Sequence, residues 1–311
     1  MINNNFNKYL KKSLEFMLNH LLILTVFLTP NICNAQTILE IEPLFEYPIA
    51  PEELPTLTEK SNYLVEHFWD NFDFKNNSSV DQLALNDAFK VFLTPLRWSD
   101  YDKSNSAINK LIDKISGNPT LLFQFTKAAE ENLYGPRAEV WSDDIYIKFI
   151  NATLKNKKIP EKRKINFRKQ ADIIQNTKIG ATAPTFSFTN KNLEKSTYFP
   201  MSTPTLLIFG NPEDTDWRIA RLKTETNSIL NDALDKGKLN ILFIIPIEIE
   251  DWREKVSGYS SKWVIGKGEN ISDIYDLRAF PAIYVIGNDG KIIMKNISLD
   301  TAIQTALENI N

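Results

Sequence analysis

Two apolar runs, Thr205-Leu206-Leu207-Ile208-Phe209 and Asn240-Ile241-Leu242-Phe243-Ile244-Ile245-Pro246-Ile247, decide how the second half of the chain folds. Both are continuous rather than alternating, the pattern of strands in a parallel sheet covered on both faces. Between them, residues 215–236 form a polar-faced stretch that predicts a helix. Strand, helix, strand is a unit that closes with a right-handed crossover. After a loop and a short helix, Ala282–Ile286, the turn Asn288-Asp289-Gly290 and Lys291–Lys295 predict a β-hairpin, because Asp-Gly supplies what a tight turn needs. A closing helix is expected from about Asp300 to Asn309.

Upstream the period changes. Residues 56–175 carry apolar residues at helical spacing: Leu64, Phe68 and Phe72; Leu83, Ala84, Ala88, Val91 and Phe92; Ile108, Leu111, Ile112 and Ile115, stopping at Gly117. Leu121 to Leu133 stop before Gly135-Pro136, and Ile145, Phe149 and Ile150 stop near Pro160. Five or six helices and no strand are expected there. Residues 36–55 hold Pro43, Pro48, Pro51 and Pro55, which disfavour helix and predict an extended lead-in.

At 311 residues, 43% hydrophobic, the chain is long enough for two globular domains. A lysine-bearing start, the apolar run Leu21–Leu28, the Pro30 break and Cys33-Asn34-Ala35 before Gln36 read as a secretory signal over residues 1–35. The expected location is the periplasm or outside the cell. That run is too short to span a bilayer, and no later segment nears the ~20 apolar residues required. Cleavage after Ala35 would discard Cys33, the sole cysteine, and with it the only thiol. A lipoprotein would instead keep Cys33 as its acylated first residue, although Pro30-Asn31-Ile32 lacks the small residue such a cysteine normally follows. Losing residues 1–35, with Lys8, Lys11 and Lys12 against Glu15, takes the formal charge from −3 to −5. Such a mildly acidic protein is not expected to bind nucleic acid, which wants a strong positive field.

The order of elements, with Pro281 at the entrance of the hairpin, resembles the thioredoxin fold. Ile179-Gly180-Ala181-Thr182-Ala183-Pro184-Thr185-Phe186-Ser187-Phe188 is similar to the opening of TlpA-like periplasmic thiol-disulfide proteins, and the likeness covers residues 178–311. Residues 63–73 and 139–146, around Trp69 and Trp141, resemble an uncharacterised helical domain that precedes such folds in bacterial envelope proteins. The fold class implied is α+β overall: an all-α region over 56–175, then an α/β thioredoxin-like region with a mixed central sheet.

In active relatives the first of these strands runs into a loop with Cys-x-x-Cys at the start of the next helix. Here the loop is Asn211-Pro212-Glu213-Asp214-Thr215-Asp216-Trp217-Arg218, and the resemblance places Asp214 and Trp217 at the two cysteine positions. Asp214 would keep a negative charge at a helix N-terminus without the nucleophile, or simply cap the helix, with Thr215 or Asp216 adding first-turn hydrogen bonds. Trp217 reads as core. The resemblance makes Phe280-Pro281 a candidate cis bond facing that loop. In relatives the backbone before this proline pairs with an extended peptide, so Pro212, Thr215, Phe280 and Pro281 form the candidate groove. The function implied is binding of a peptide or envelope protein without redox chemistry, with no cofactor and no metal. The alternatives are a thiol-disulfide oxidoreductase-like enzyme or carboxylate catalysis on the same fold.

Other chemistry has little support. Apart from His20 in the signal, His67 is the one histidine and reads as structural, so His/Cys zinc sites and histidine triads lack partners. Glu248, Glu250 and Asp251 follow a predicted strand and can be a solvated acidic run or a cation or acid-base site. Gly266-Lys267-Gly268 lacks the third glycine and the placement of a nucleotide loop. Lys155, Lys157, Lys158, Lys162, Arg163, Lys164, Arg168 and Lys169, broken only by Glu161, are either a solvated helix and linker or a patch for anionic surfaces.

Overall fold

The computed structural model describes residues 42–310 except 77, 78, 137 and 201; the expected signal segment and Cys33 lie outside the described residues. Residues 42–55 contain neither helix nor strand. They lie against the helices, with Phe45 edge-on to Phe68 (5.6 Å between ring centres) and Tyr47 stacked on it (5.1 Å). Aromatic contacts of this kind make the proline-rich stretch a strap over a core.

Six α-helices follow among the described residues of this region: α1 (Leu57–His67), α2 (Gln82–Leu96), α3 (Tyr101–Ser116), α4 (Pro119–Leu133), α5 (Asp143–Lys155) and α6 (Glu161–Asn176). Their starts are set locally. Thr56 and Glu59 form a reciprocal capping box on α1, Asp81 caps α2 through the Ala84 N–H, and Asn118 caps α4 with Pro119 in its first turn. The α1 helix ends at His67, before the spacing of Phe68 and Phe72 predicts, but both rings and Trp69 stay buried. They join Phe89, Phe92, Phe125 and Phe149, none of which reaches solvent. Lys164 is also buried, which is costly unless its charge is met. Its Nζ donates to the Leu154 carbonyl at 3.2 Å and to Glu161 Oε1 at 2.9 Å.

The second region is a sheet of seven strands: β1 (Phe186–Asn190), β2 (Lys195–Tyr198), β3 (Thr205–Phe209), β4 (Asn240–Ile245), β5 (Val264–Gly268), β6 (Ala282–Ile286) and β7 (Ile292–Lys295). Their order is β2-β1-β5-β4-β3-β6-β7. The β3 strand is parallel to β4 and antiparallel to β6, so the sheet is mixed, and all five residues of β3 and of β6 are buried. Helices α7 (Thr215–Thr226), α8 (Ser228–Asp235), α9 (Trp252–Lys255) and α10 (Leu299–Glu308) complete it. The architecture is the expected α+β one, an all-α region followed by a mixed sheet with helices.

Three details depart from the sequence reading. The helix predicted over 215–236 is broken at Asn227, whose extended backbone ends α7 while its side chain caps α8 through the Leu230 N–H. The β5 strand falls where the sequence predicts a loop, because Gly266 and Gly268 weaken any strand signal. Both glycines are there for room: a Cβ on Gly266 would lie 2.8 Å from the Thr189 carbonyl and overlap the Phe188 ring. The β1–β2 hairpin leaves no periodic signal in the sequence either, since β2 has one buried residue in four and so no alternation.

Candidate functional site

Strand pairing builds the site. Phe209, the last residue of β3, lies opposite Ala282, the first of β6. The loop leaving β3 therefore sits beside Phe280-Pro281, whose peptide bond is cis. Gly210 is the point of closest approach: a Cβ there would be 3.2 Å from Pro281 Cβ and would overlap the Trp217 ring, so only hydrogen fits. Around this junction Pro212 is buried, Pro281 half-buried, and Thr215 and Phe280 exposed. Among the described residues the backbone N–H and C=O of Phe280 have no hydrogen-bond partner.

Asp214 stands at the N-terminus of α7, but its carboxylate does not bond the first-turn N–H groups. This corrects the expectation of a side-chain cap. Asn211 Nδ2 donates to Asp214 Oδ1 at 3.2 Å while Asn211 Oδ1 accepts from the Glu213 N–H at 2.9 Å, so the carboxylate is engaged by the loop rather than by the helix. Thr215 Oγ1 accepts from Arg218 Nη2 at 3.4 Å. Trp217, in the first turn, has no exposure at all. Its Nε1–H donates to the Tyr259 hydroxyl at 2.8 Å, and its ring meets Phe243 edge-on at 5.0 Å. An indole fills the space beneath the loop.

A second cluster, which the sequence does not predict, centres on Arg278, three residues ahead of Pro281. Asp276 accepts from Arg278 Nε at 2.8 Å and Nη2 at 2.5 Å, from Asn296 Nδ2 at 2.9 Å and from Lys295 Nζ at 3.3 Å. Asp143, in the first turn of α5, accepts from Arg278 Nη2 and from Lys295 Nζ, both at 2.6 Å. The Arg278 guanidinium lies 4.1 Å from the Tyr134 ring centre and 5.4 Å from that of Trp141. Two carboxylates and two cations thus join the helices to the sheet. Asp143 and Lys295 are 152 residues apart, and no local spacing rule could have tied them.

Burial alone would push the Asp276 carboxyl up, but hydrogen bonds and charge from Arg278, with the Lys295 charge, outweigh it and hold it at about 2. A carboxylate depressed on folding adds stability above its unfolded value, and that stability is lost as pH falls towards the folded one. Between about pH 4 and pH 2 the protein is expected to lose roughly 2 kcal/mol from this group. Urea unfolding across that range checks it, with Asp276→Asn flattening the dependence.

The remaining candidates are not brought together. His67 Nδ1 pairs with Asp70 at 2.8 Å on a largely exposed surface, its ring 4.4 Å from Tyr63. Glu248 pairs with Lys267, while Glu250 and Asp251 are exposed, and no group of three metal-ligating side chains occurs among the described residues. Half the basic tract is spent internally. Lys164 is buried, Arg168 pairs with Glu161, Lys169 with Asp273, and Arg163 lies 3.7 Å from the Phe123 ring centre. No helix among the described residues is long and apolar enough to cross a membrane.

Residues 25–177 match the model of a family described as a domain of unknown function (DUF5106). A thioredoxin-like protein from Bacteroides caccae, known from its crystal structure, is 21% identical, with 85% of this chain and 98% of that one covered at a TM-score of 0.66. At that coverage the likeness takes in both helices and sheet. The thioredoxin domain of a thiol-disulfide oxidoreductase from Bacteroides vulgatus is 19% identical, covering 43% of this chain and 99% of its own (TM-score 0.37). The C-terminal domain of an uncharacterized protein from Bacteroides fragilis is 24% identical, covering 42% and 98% (TM-score 0.38). No curated protein matches. The chain thus joins a helical region that matches DUF5106 to a thioredoxin-like fold.

Proposed function

We propose that this is an exported protein of the bacterial envelope whose thioredoxin-like region binds an extended peptide or protein segment at Phe280-Pro281, without thiol chemistry. One observation carries the reading: the Phe280 backbone offers a donor and an acceptor with no partner among the described residues, beside an exposed side chain and an irregular loop. Unpaired main-chain groups of this kind are what strand addition uses, main-chain bonds giving affinity and side-chain pockets giving selectivity. In the TlpA-like proteins that the chain resembles, the backbone at this position pairs with substrate peptides, which supports the reading. The redox half of the reading rests on Asp214 and Trp217 at the Cys-x-x-Cys positions and on a sequence with no cysteine after Cys33. Cleavage after Ala35 leaves no thiol to form or exchange a disulfide.

The test is affinity capture from envelope extracts by the chain from Gln36 onward, comparing wild type with Phe280→Asp and Asp214→Arg, beside a dithiol-dependent disulfide-reduction assay. A partner whose recovery falls at least about tenfold with Phe280→Asp, and no reductase activity, are expected. Capture unchanged by that substitution, or disulfide reduction by a chain without cysteine, would overturn the reading.

A further inference from the structure

The contacts of Arg278 extend this reading to the helical region. The segment Leu277–Pro281 has no regular structure, and the hydrogen bonds fixing its approach come from side chains. Asp276 accepts from the Arg278 backbone N–H at 3.2 Å and from its guanidinium. The other half of that grip comes from the helices. Asp143 holds Arg278 Nη2 and Lys295 Nζ with its two oxygens, one each, and Tyr134 and Trp141 lie against the guanidinium. Asp143 sits in the first turn of α5, where the helix dipole favours a carboxylate. Arg278 is 8% exposed and Lys295 11%, so these are charge-assisted bonds screened little by solvent.

A helical region that were merely fused to the sheet could touch it anywhere. Here it holds the residue two positions before Phe280. We infer that the helical region is the positioning element of the groove: Asp143, acting through Arg278, fixes the backbone that Phe280 presents to the bound segment. This rests on the peptide-binding reading above. Arg278 and Asp143 are positioning residues, and lysine cannot replace Arg278, because the role needs a planar fork that bonds two carboxylates and stacks on rings at once.

The experiment uses the chain from Gln36 onward and, as probe, a peptide selected on the wild type from a random-peptide display library. Amide hydrogen exchange of residues 277–282 and probe affinity are measured for wild type, Asp143→Asn, Arg278→Lys and Phe280→Asp, with exchange in α4 and β3 reporting that each variant is folded. Asp143→Asn and Arg278→Lys are expected to speed exchange over 277–282 by roughly tenfold, leave β3 unchanged, and weaken the probe about tenfold. Faster exchange with unchanged affinity, or unchanged exchange, would overturn the positioning role while Phe280→Asp still abolishes binding and upholds the groove. Probe affinity insensitive to Phe280→Asp would instead remove the groove, and the positioning role with it.

Discussion

Trp217→Ala is expected to lower the unfolding free energy by about 3–5 kcal/mol, the usual cost of truncating a large buried aromatic. The indole has no solvent exposure, packs on Phe243 and lies against Gly210 and the loop before α7. Its removal leaves a cavity under that loop and strips the Tyr259 hydroxyl of its donor. Trp217→Phe separates the two effects: it keeps most of the volume and costs about 1–3 kcal/mol for the lost bond. Denaturant unfolding with a fixed slope across the three proteins checks the order. For the same reason, a thiol at position 217 is not a small step from this site. Cysteine at position 217 would open almost the same cavity as alanine, so Asp214→Cys combined with Trp217→Cys is expected to destabilise the fold before it supplies any chemistry.

Asp276→Ala is expected to cost roughly as much, about 3–5 kcal/mol, by a different mechanism. Its carboxylate is the most buried member of a balanced cluster, and removing one partner leaves the other charges desolvated and only half met. Arg278 and Lys295 then depend on Asp143 alone. Asp276→Asn keeps the shape without the charge and is expected to lie between wild type and alanine. The check is thermal unfolding at neutral pH, with near-ultraviolet circular dichroism following the Tyr134 and Trp141 environment.

The second half of the chain was legible where its strands are buried on both faces. Leu206–Phe209 and Ile241–Ile245 are apolar runs because both faces of the sheet are covered, one by helices α7, α8 and α10 and the other by the segment around Ile271 and Tyr275, and that property is visible residue by residue. The hairpin was legible for a related reason, since Gly290, at φ +75°, needs a residue without a Cβ penalty. β5 was not, because its glycines answer to the bulk of Phe188 and Ile271, residues on other elements. For the site, Phe280, Pro281, Asp214 and Trp217 could be named only through the resemblance, since nothing in their own spacing points to a groove. The Asp143–Arg278 contact could not be named at all. It is made by packing between distant segments, and charged residues on a helix start and in a loop look like solvated surface until the partner is seen.

The most direct measurement is a nuclear magnetic resonance titration of the isotope-labelled chain from Gln36 onward with a display-selected peptide. Peptide binding at Phe280-Pro281 predicts the largest amide shifts at Phe280 and in the flanking loop before α7, with intermolecular contacts to the Phe280 backbone and no covalent adduct. Shifts confined to the helices, or to a sheet face away from Pro281, would contradict it.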